Sequence, residues 1–142
     1  MQQAILALSL LISSMIFAQA TPKKLEEGIS VTVSVVNALN DTGTVNFGFY
    51  NEENFMKQPI YAKSASVEKG KSTVVFEGVS QGFYAILCFH DENNNGRMDF
   101  DFNGMPTESY GSSNNPLNFG PPEFVSSKFE VKDHALNLEI KF

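Results

Sequence analysis

The chain has 142 residues, which is enough for one domain and too few for two domains of ordinary size. Its 16 acidic residues outnumber the 10 basic ones, and the net charge of −6 makes nucleic acid an unfavourable partner because the phosphate backbone would be repelled. The single cysteine, Cys88, excludes an internal disulfide.

The N-terminus has the pattern of an export signal. Ala4–Phe17 is apolar, and Ala18–Ala20 supplies the small residues that signal peptidase requires. We therefore expect residues 1–20 to be a signal peptide cleaved near Ala20, with the product exported to the periplasm or the extracellular space. The alternative is an uncleaved anchor, but this run is shorter than the roughly 20 apolar residues of a membrane span. No other stretch is long enough, so no transmembrane segment is expected in the mature chain. Residues 21–28 are predicted to be a flexible lead-in.

Strands dominate the rest of the chain. Apolar and polar residues alternate in Ile29–Val35 and again in Thr44–Asn51, which indicates two strands with one buried face each. The turn residues Asn40–Gly43 lie between them and predict a hairpin. Residues 51–70 are less regular, and one helical turn is expected after an Asn51 cap.

Two further strands are predicted in the middle of the chain and two at its end. Ser72–Val79 alternates, whereas Phe83–Phe89 is apolar on both faces and is predicted to be a central strand covered on both sides. Periodicity is absent from 100–123, and strands are predicted at Phe124–Val131 and Ala135–Phe142. The fold class is therefore all-β: residues 29–142 form a single antiparallel β-sandwich, immunoglobulin-like or prealbumin-like, of about seven strands with one long ordered loop.

The loop after the central strand has the ligand spacing of an EF-hand calcium loop. Side-chain oxygens recur at positions 1, 3, 5 and 9, a glycine allows the turn at position 6, and position 7 contributes a backbone carbonyl. These positions are occupied by Asp91, Asn93, Asn95, Asp99, Gly96 and Arg97. Hard oxygen ligands of this kind suit Ca²⁺, so we predict a weak calcium site.

The match to an EF-hand is incomplete. Position 12 is Phe102, where a bidentate glutamate is expected, and no helix flanks the loop. Asp101 is predicted to supply the missing carboxylate because it is near, with the more distant Glu108 as the second choice. In the competing interpretation the asparagines and Gly96 only form a hairpin turn, since these residues tolerate positive φ.

The segment as a whole resembles a known family. The residues that carry the resemblance are Gly82–Ala85, His90–Asn93, Asn95, Gly96, Asp99, Gly104–Gly111, Ser113–Asn115 and Gly120–Pro122. They are similar to the secreted bacterial proteins grouped as domain of unknown function 2141. The resemblance implies an exported, single-domain β protein with no established activity, in which the calcium-type loop and 104–122 form one unit. The loop alone also resembles calcium loops in β-sandwich domains of bacterial surface adhesins.

The expected function is that of an exported, non-enzymatic module whose Ca²⁺-braced loop forms a recognition surface for carbohydrate or a cell-envelope protein. The candidate contact residues are Glu108, Tyr110, Asn114, Asn115 and Phe119. Two alternatives stay open. The first is a hydrolase-like enzyme with a site in 90–120 and His90 or Glu108 as acid or base. The second is a purely structural envelope protein without metal, whose loop packs as a lid over the sandwich. The oligomeric state is not predicted.

Overall fold

Eight strands and one short helix are present in the computed structural model, which describes residues 28–117 and 119–142. The predicted signal peptide lies outside these residues, as does nearly all of the lead-in. In chain order the elements are β1 Ile29–Val35, β2 Thr44–Tyr50, β3 Tyr61–Ser66, β4 Ser72–Val79, β5 Gly82–Asp91, β6 Tyr110–Ser112, α1 Phe124–Ser127, β7 Phe129–Val131 and β8 Leu136–Ile140. Within the described residues no helix has the length and apolar character needed to cross a membrane.

The strands form two sheets packed as a sandwich, and the predicted all-β sandwich is confirmed. One sheet has the order β4-β1-β8, and the other has the order β3-β2-β5-β6, with β7 paired to the first residues of β5. Every pairing is antiparallel except β1 with β8, which is parallel. The sandwich is therefore mixed rather than purely antiparallel, and the structure describes eight strands where about seven were expected.

Alternating apolar residues supply the core, as their spacing predicts. Val31, Val33 and Val35 of β1 are completely buried, and Val45 and Phe49 of β2 face them from the other sheet. Phe49 is the centre of an aromatic cluster in which its ring contacts four others. Because successive strand residues point to opposite faces, one face of each strand enters this core and the other faces outward.

The predicted hairpin of β1 and β2 is wrong. β1 pairs with β4 and β8, whereas β2 pairs with β3 and β5 in the other sheet. The turn residues between them form other contacts, and the Asp41 carboxylate accepts the backbone N–H groups of Lys69 and Gly70. The physical reason for the error is that alternation shows which face is buried but does not distinguish strands paired within one sheet from strands facing each other across the core.

Short elements in the irregular regions also differ from prediction. β3 and β6 lie in segments that were not predicted as strands, since neither has a strong apolar alternation. The strand predicted at Phe124–Val131 begins with the helical turn α1, and only β7 is extended. No helix follows Asn51: its Oδ1 accepts the N–H of Asn54 at 2.9 Å, but positive φ at Met56 ends the turn.

The strand β5 occupies the central position predicted for it. It pairs with β2 on one side, and β6 pairs with Leu87–Phe89. Ile86, Cys88 and His90 face the core, while Ala85, Leu87, Phe89 and Asp91 alternate with them on the outer face. The outer face of this sheet is covered in part by the long connection between β5 and β6, and the candidate site is found there.

Candidate functional site

A trough of small residues crosses the outer face of the β3-β2-β5-β6 sheet. Strand register places Gly48 between Ala62 of β3 and Leu87 of β5. Glycine and alanine leave the surface low at this point, because they carry little or no side chain. The neighbouring row across the sheet consists of Ser64, Asn46, Phe89 and Tyr110. Together these two rows form the floor of a groove.

Loop residues from both ends of the strands border this floor. Residues 96–106 follow the end of β5, whereas Met56 and Pro59 follow the end of β2, and antiparallel pairing puts these at opposite ends of the sheet. Gly120–Pro122 contribute a further part of the border, and the rings of Phe55 and Phe124 lie 5.6 Å apart beside it. The result is a groove of about 900 Å³ that is open to solvent.

The ring of Tyr50 lies over Gly48 on the groove floor, and the missing side chain of Gly48 makes this position possible. A Cβ added to Gly48 would lie 2.6 Å from a ring carbon of Tyr50 and 2.7 Å from its Oη. The ring therefore occupies the space that any other residue at position 48 would fill. Partial burial raises the pKa of the Tyr50 hydroxyl above its ordinary value of 10.0. This hydroxyl has no hydrogen-bond partner within the described residues and remains available to a ligand.

The predicted calcium loop begins at Asp91, which fastens it to the groove floor. Asp91 is 1% exposed, and its Oδ1 accepts the backbone N–H of Asn95 at 3.1 Å. Its Oδ2 accepts the N–H of Gly96 at 2.8 Å and the side-chain amide of Asn46 at 3.2 Å. Gly96 adopts φ +78°, as its expected role in a sharp turn requires. The carboxylate thus holds the loop in a closed turn above β2 and β5.

Two other predicted ligands, Asn93 and Asn95, meet at the predicted ligand Asp99. Its carboxylate accepts the side-chain amide of Asn95 at 2.7 and 2.9 Å and that of Asn93 at 2.6 Å. These hydrogen bonds, that from Asn95 first, lower the pKa of Asp99 below 3.8, so the group is charged at neutral pH. The Arg97 carbonyl, the backbone group predicted at position 7, accepts no hydrogen bond within the described residues. Asp91, Asn93, Asn95 and Asp99 are therefore brought together.

The two candidates for the missing carboxylate are placed differently from the predicted order. Asp101 Oδ1 accepts the backbone N–H groups of Asn103 and Met105, which closes a separate turn. Glu108, by contrast, is 8% exposed and accepts the N–H of Asp99 at 3.1 Å. The second choice thus lies against the loop and the first does not. Within the described residues no group of three or more His, Cys, Asp or Glu is arranged for a metal, so amide and carbonyl oxygens would have to complete a site.

The predicted contact residues divide into structural and exposed ones. Asn114 donates its amide to the Lys128 carbonyl at 2.6 Å, and Asn115 bonds the backbone at the end of β8 through both its amide nitrogen and its oxygen. These two side chains are therefore committed to the fold. Tyr110 is 40% exposed and borders the groove, and Phe119 is fully exposed. Leu117, which was not predicted as a contact, is 98% exposed in the same loop.

The side chains on which the enzymatic alternative depends do not line the groove. His90 is completely buried on the inner face of β5, where its Nε2 lies 2.6 Å from the Thr42 carbonyl and its ring stacks on Phe142. Glu108 accepts two backbone N–H groups, from Glu92 and Asp99. Both groups serve the fold at these positions.

The groove floor is the part of the site that the sequence alone did not reveal. Gly48 and Tyr50 were recognised as residues of a strand, and Ala62 lay in a segment with no predicted element. Small residues in outward positions of a strand are a usable signal for such a trough, but the signal needs the register between strands, which the sequence does not provide.

One family model matches the sequence, over residues 33–139, and its description is "Uncharacterized protein conserved in bacteria (DUF2141)". No curated protein and no solved structure matches the chain. The match spans both sheets, from β1 to β8, and includes the groove and the whole connection between β5 and β6. The chain therefore belongs to the bacterial family of domain of unknown function 2141.

Proposed function

We propose that this protein is an exported, non-enzymatic binding module whose ligand occupies the groove on the outer face of the β3-β2-β5-β6 sheet. The groove is the observation that carries the proposal, since a concave and largely apolar surface with few polar groups is the usual form of a ligand site. Carbohydrate and cell-envelope protein, the partner classes expected from the sequence, are the first to test.

Exposed apolar side chains around the groove support a binding role. Phe100, Met105 and Met56 are more than half exposed and all border it. Phe102 and Phe119 are almost or completely exposed on the adjoining loops. Single exposed apolar residues are common, but a group of them around one concave surface is typical of an interaction site.

We further propose that the Asp91–Asp99 loop binds Ca²⁺ and so braces one border of the groove. The carboxylates of Asp91 and Asp99 and the amide oxygens of Asn93 and Asn95 are the donors, and each amide oxygen retains a lone pair beyond the hydrogen bond it accepts. With so few carboxylates the dissociation constant should be on the order of 10⁻⁴–10⁻³ M, as in extracellular modules. At one to ten times that concentration, Ca²⁺ would stabilise the fold by about 0.4–1.4 kcal/mol.

Thermal unfolding tests the calcium proposal. We expect millimolar CaCl₂, but not MgCl₂, to raise the midpoint by about 2–6 °C relative to EDTA. Asp99→Asn should remove this response while keeping the side-chain shape. Asp133→Asn, which makes the same charge change at an exposed position away from the loop, should retain it. An equal midpoint in CaCl₂ and EDTA would show that the loop is a turn without an ion.

Binding at the groove is tested with a pair of variants on one strand. Ala62→Phe fills the trough, whereas Ser66→Phe adds the same ring on the same face of β3 outside the groove. On arrays of neutral and charged oligosaccharides and of envelope-derived peptides, a true groove ligand should lose at least tenfold in signal with the first variant only. If Ala62→Phe leaves the binding signal of every ligand unchanged, the groove is not the binding site.

Export is tested by expressing the full chain in a bacterial host and sequencing the N-terminus of the product in each cell fraction. Recovery outside the cytoplasm with Thr21 as the first residue is the expected result. A cytoplasmic product that retains Met1 would contradict the proposed export.

A further inference from the structure

We infer that the groove binds an uncharged, largely apolar small molecule, an inference that rests on the proposed binding function and names a ligand class other than the carbohydrate or protein partner expected from the sequence. Carbon-rich side chains dominate the lining, among them Leu87, Phe89, Met98, Met105, Pro106 and Pro122. Covering such a surface removes apolar area from water, which is favourable by about 25 cal/mol per Å². The ligand must therefore present apolar surface of its own.

Charge complementarity excludes an ionic ligand. Among the residues that the structure describes, Lys63 is the only charged residue that contributes to the lining. Its ammonium is used elsewhere, since it donates to the Val75 carbonyl and lies 5.9 Å from the Phe76 ring. A charge placed in the groove would lose water without gaining a counter-charge, which is costly.

The supply of hydrogen-bonding groups limits how polar the ligand is. Asn46 and Ser64 bond each other, and the Asn46 amide also donates to Asp91. Among the side-chain groups of the lining, the hydroxyls of Tyr50 and Tyr110 have no partner in the described part of the chain. A sugar ring brings several hydroxyls, and each one buried without a partner costs about 1–3 kcal/mol. Two tyrosine hydroxyls match a ligand with one or two polar atoms.

Size and adaptability favour a small molecule. A volume of about 900 Å³ lies within the roughly 300–1,000 Å³ of typical small-molecule sites. Met56, Met98 and Met105 border the groove, and the flexible methionine side chain adjusts to irregular apolar shapes. Beside the Tyr50 ring, which covers Gly48, the floor around Ala62 and Leu87 is where a flat or linear apolar group can lie against the sheet.

The test uses the uncharged solvatochromic dye Nile red as the probe, titrated with the purified protein and followed by its blue-shifted emission. We expect saturable binding that weakens at least tenfold in Ala62→Phe and changes less than twofold in Ser66→Phe. Circular dichroism and thermal unfolding establish that both variants are folded. The anionic dye 1-anilinonaphthalene-8-sulfonate should bind at least tenfold more weakly than Nile red.

Each other outcome overturns the inference, and the outcomes separate it from the proposed function. Nile red binding that Ala62→Phe leaves intact would place the dye on the exposed loop aromatics. Oligosaccharide binding that is sensitive to Ala62→Phe, without Nile red binding, would keep the binding module and refute the apolar ligand. If sedimentation shows a dimer that Ala62→Phe dissociates, the groove is occupied by a second copy. Absence of any saturable binding refutes both proposals.

Discussion

Ser113 joins the groove floor to the segment that carries part of its border, and its replacement by alanine should be strongly destabilising. The side chain is completely buried. Its Oγ accepts the backbone N–H of Ile86 at 3.0 Å and donates to the carbonyl of Ser127. Strand β5 is thereby connected to the helical turn α1, which follows Gly120–Pro122 along the chain.

The expected magnitude follows from the two backbone groups that Ser113→Ala would leave without a partner. A buried donor or acceptor without a hydrogen bond costs about 1–3 kcal/mol. The loss of both should lower the free energy of unfolding by about 2–6 kcal/mol. For a domain of this size, 1 kcal/mol corresponds to a shift of about 4 °C in the midpoint, so a decrease of about 8–24 °C is expected.

Urea and thermal unfolding of Ser113→Ala measure this effect, and Ser80→Ala is the matched control. Ser80 is exposed, and within the described residues only its carbonyl accepts a hydrogen bond. The control should change the free energy of unfolding by less than about 0.5 kcal/mol. A loss of under 1 kcal/mol in Ser113→Ala would refute the proposed role of its hydroxyl.

Three further predictions concern the borders of the site. Asn115→Ala should lower the free energy of unfolding, measured in urea, by about 1–2 kcal/mol, because two hydrogen bonds to the end of β8 are lost. Unchanged stability together with weaker ligand binding would instead indicate that Asn115 contacts the ligand. Gly48→Ala should displace the ring of Tyr50 and return the raised pKa of its hydroxyl towards 10.0. Ultraviolet titration, with Tyr50→Phe as the reference that identifies the Tyr50 signal, detects this change. An unchanged titration would contradict the position of the ring. Because the pKa of Asp99 is lower in the folded protein than in the unfolded chain, the ionised carboxylate stabilises the loop fully above the unfolded pKa of about 3.9. This stabilisation is lost as the pH falls through the pKa of the folded protein. Carboxyl-carbon NMR shifts should therefore show a midpoint below 3.8, and a midpoint at or above this value would refute the hydrogen bonding.

The calcium-type loop shows how much of a site can be predicted from a local sequence pattern. The spacing of Asp91, Asn93, Asn95 and Asp99 was sufficient to predict that these side chains meet, because a turn at Gly96 brings them together regardless of the rest of the fold. Local sequence does not determine which further carboxylate contacts the loop. Glu108 reaches the loop because His90 and Ser109 are joined by a backbone hydrogen bond as β6 approaches β5, whereas proximity in sequence had favoured another acid.

The predicted contact role of Asn114 and Asn115 shows the opposite limit. In sequence they are polar residues of a glycine- and proline-rich loop, which is the usual composition of an exposed recognition surface. In the structure both adopt positive φ, and their amides hold backbone groups of segments 12 or more positions further along the chain. The local sequence does not distinguish an asparagine that binds a ligand from one that binds the protein backbone, because both use the same side-chain amide.

The sequence by itself determined the strands with strong alternation, their buried faces, the central place of β5 and the turn at the start of the long loop. These depend on the period of two in a strand and on the conformational freedom of glycine and asparagine, which are properties of short segments. The tertiary structure decided which strands share a sheet, the parallel pairing of β1 with β8, and the meeting of Ala62, Gly48 and Leu87 in one trough. These depend on contacts between segments distant in the chain, because register and sheet partner are selected by the packing of the whole core.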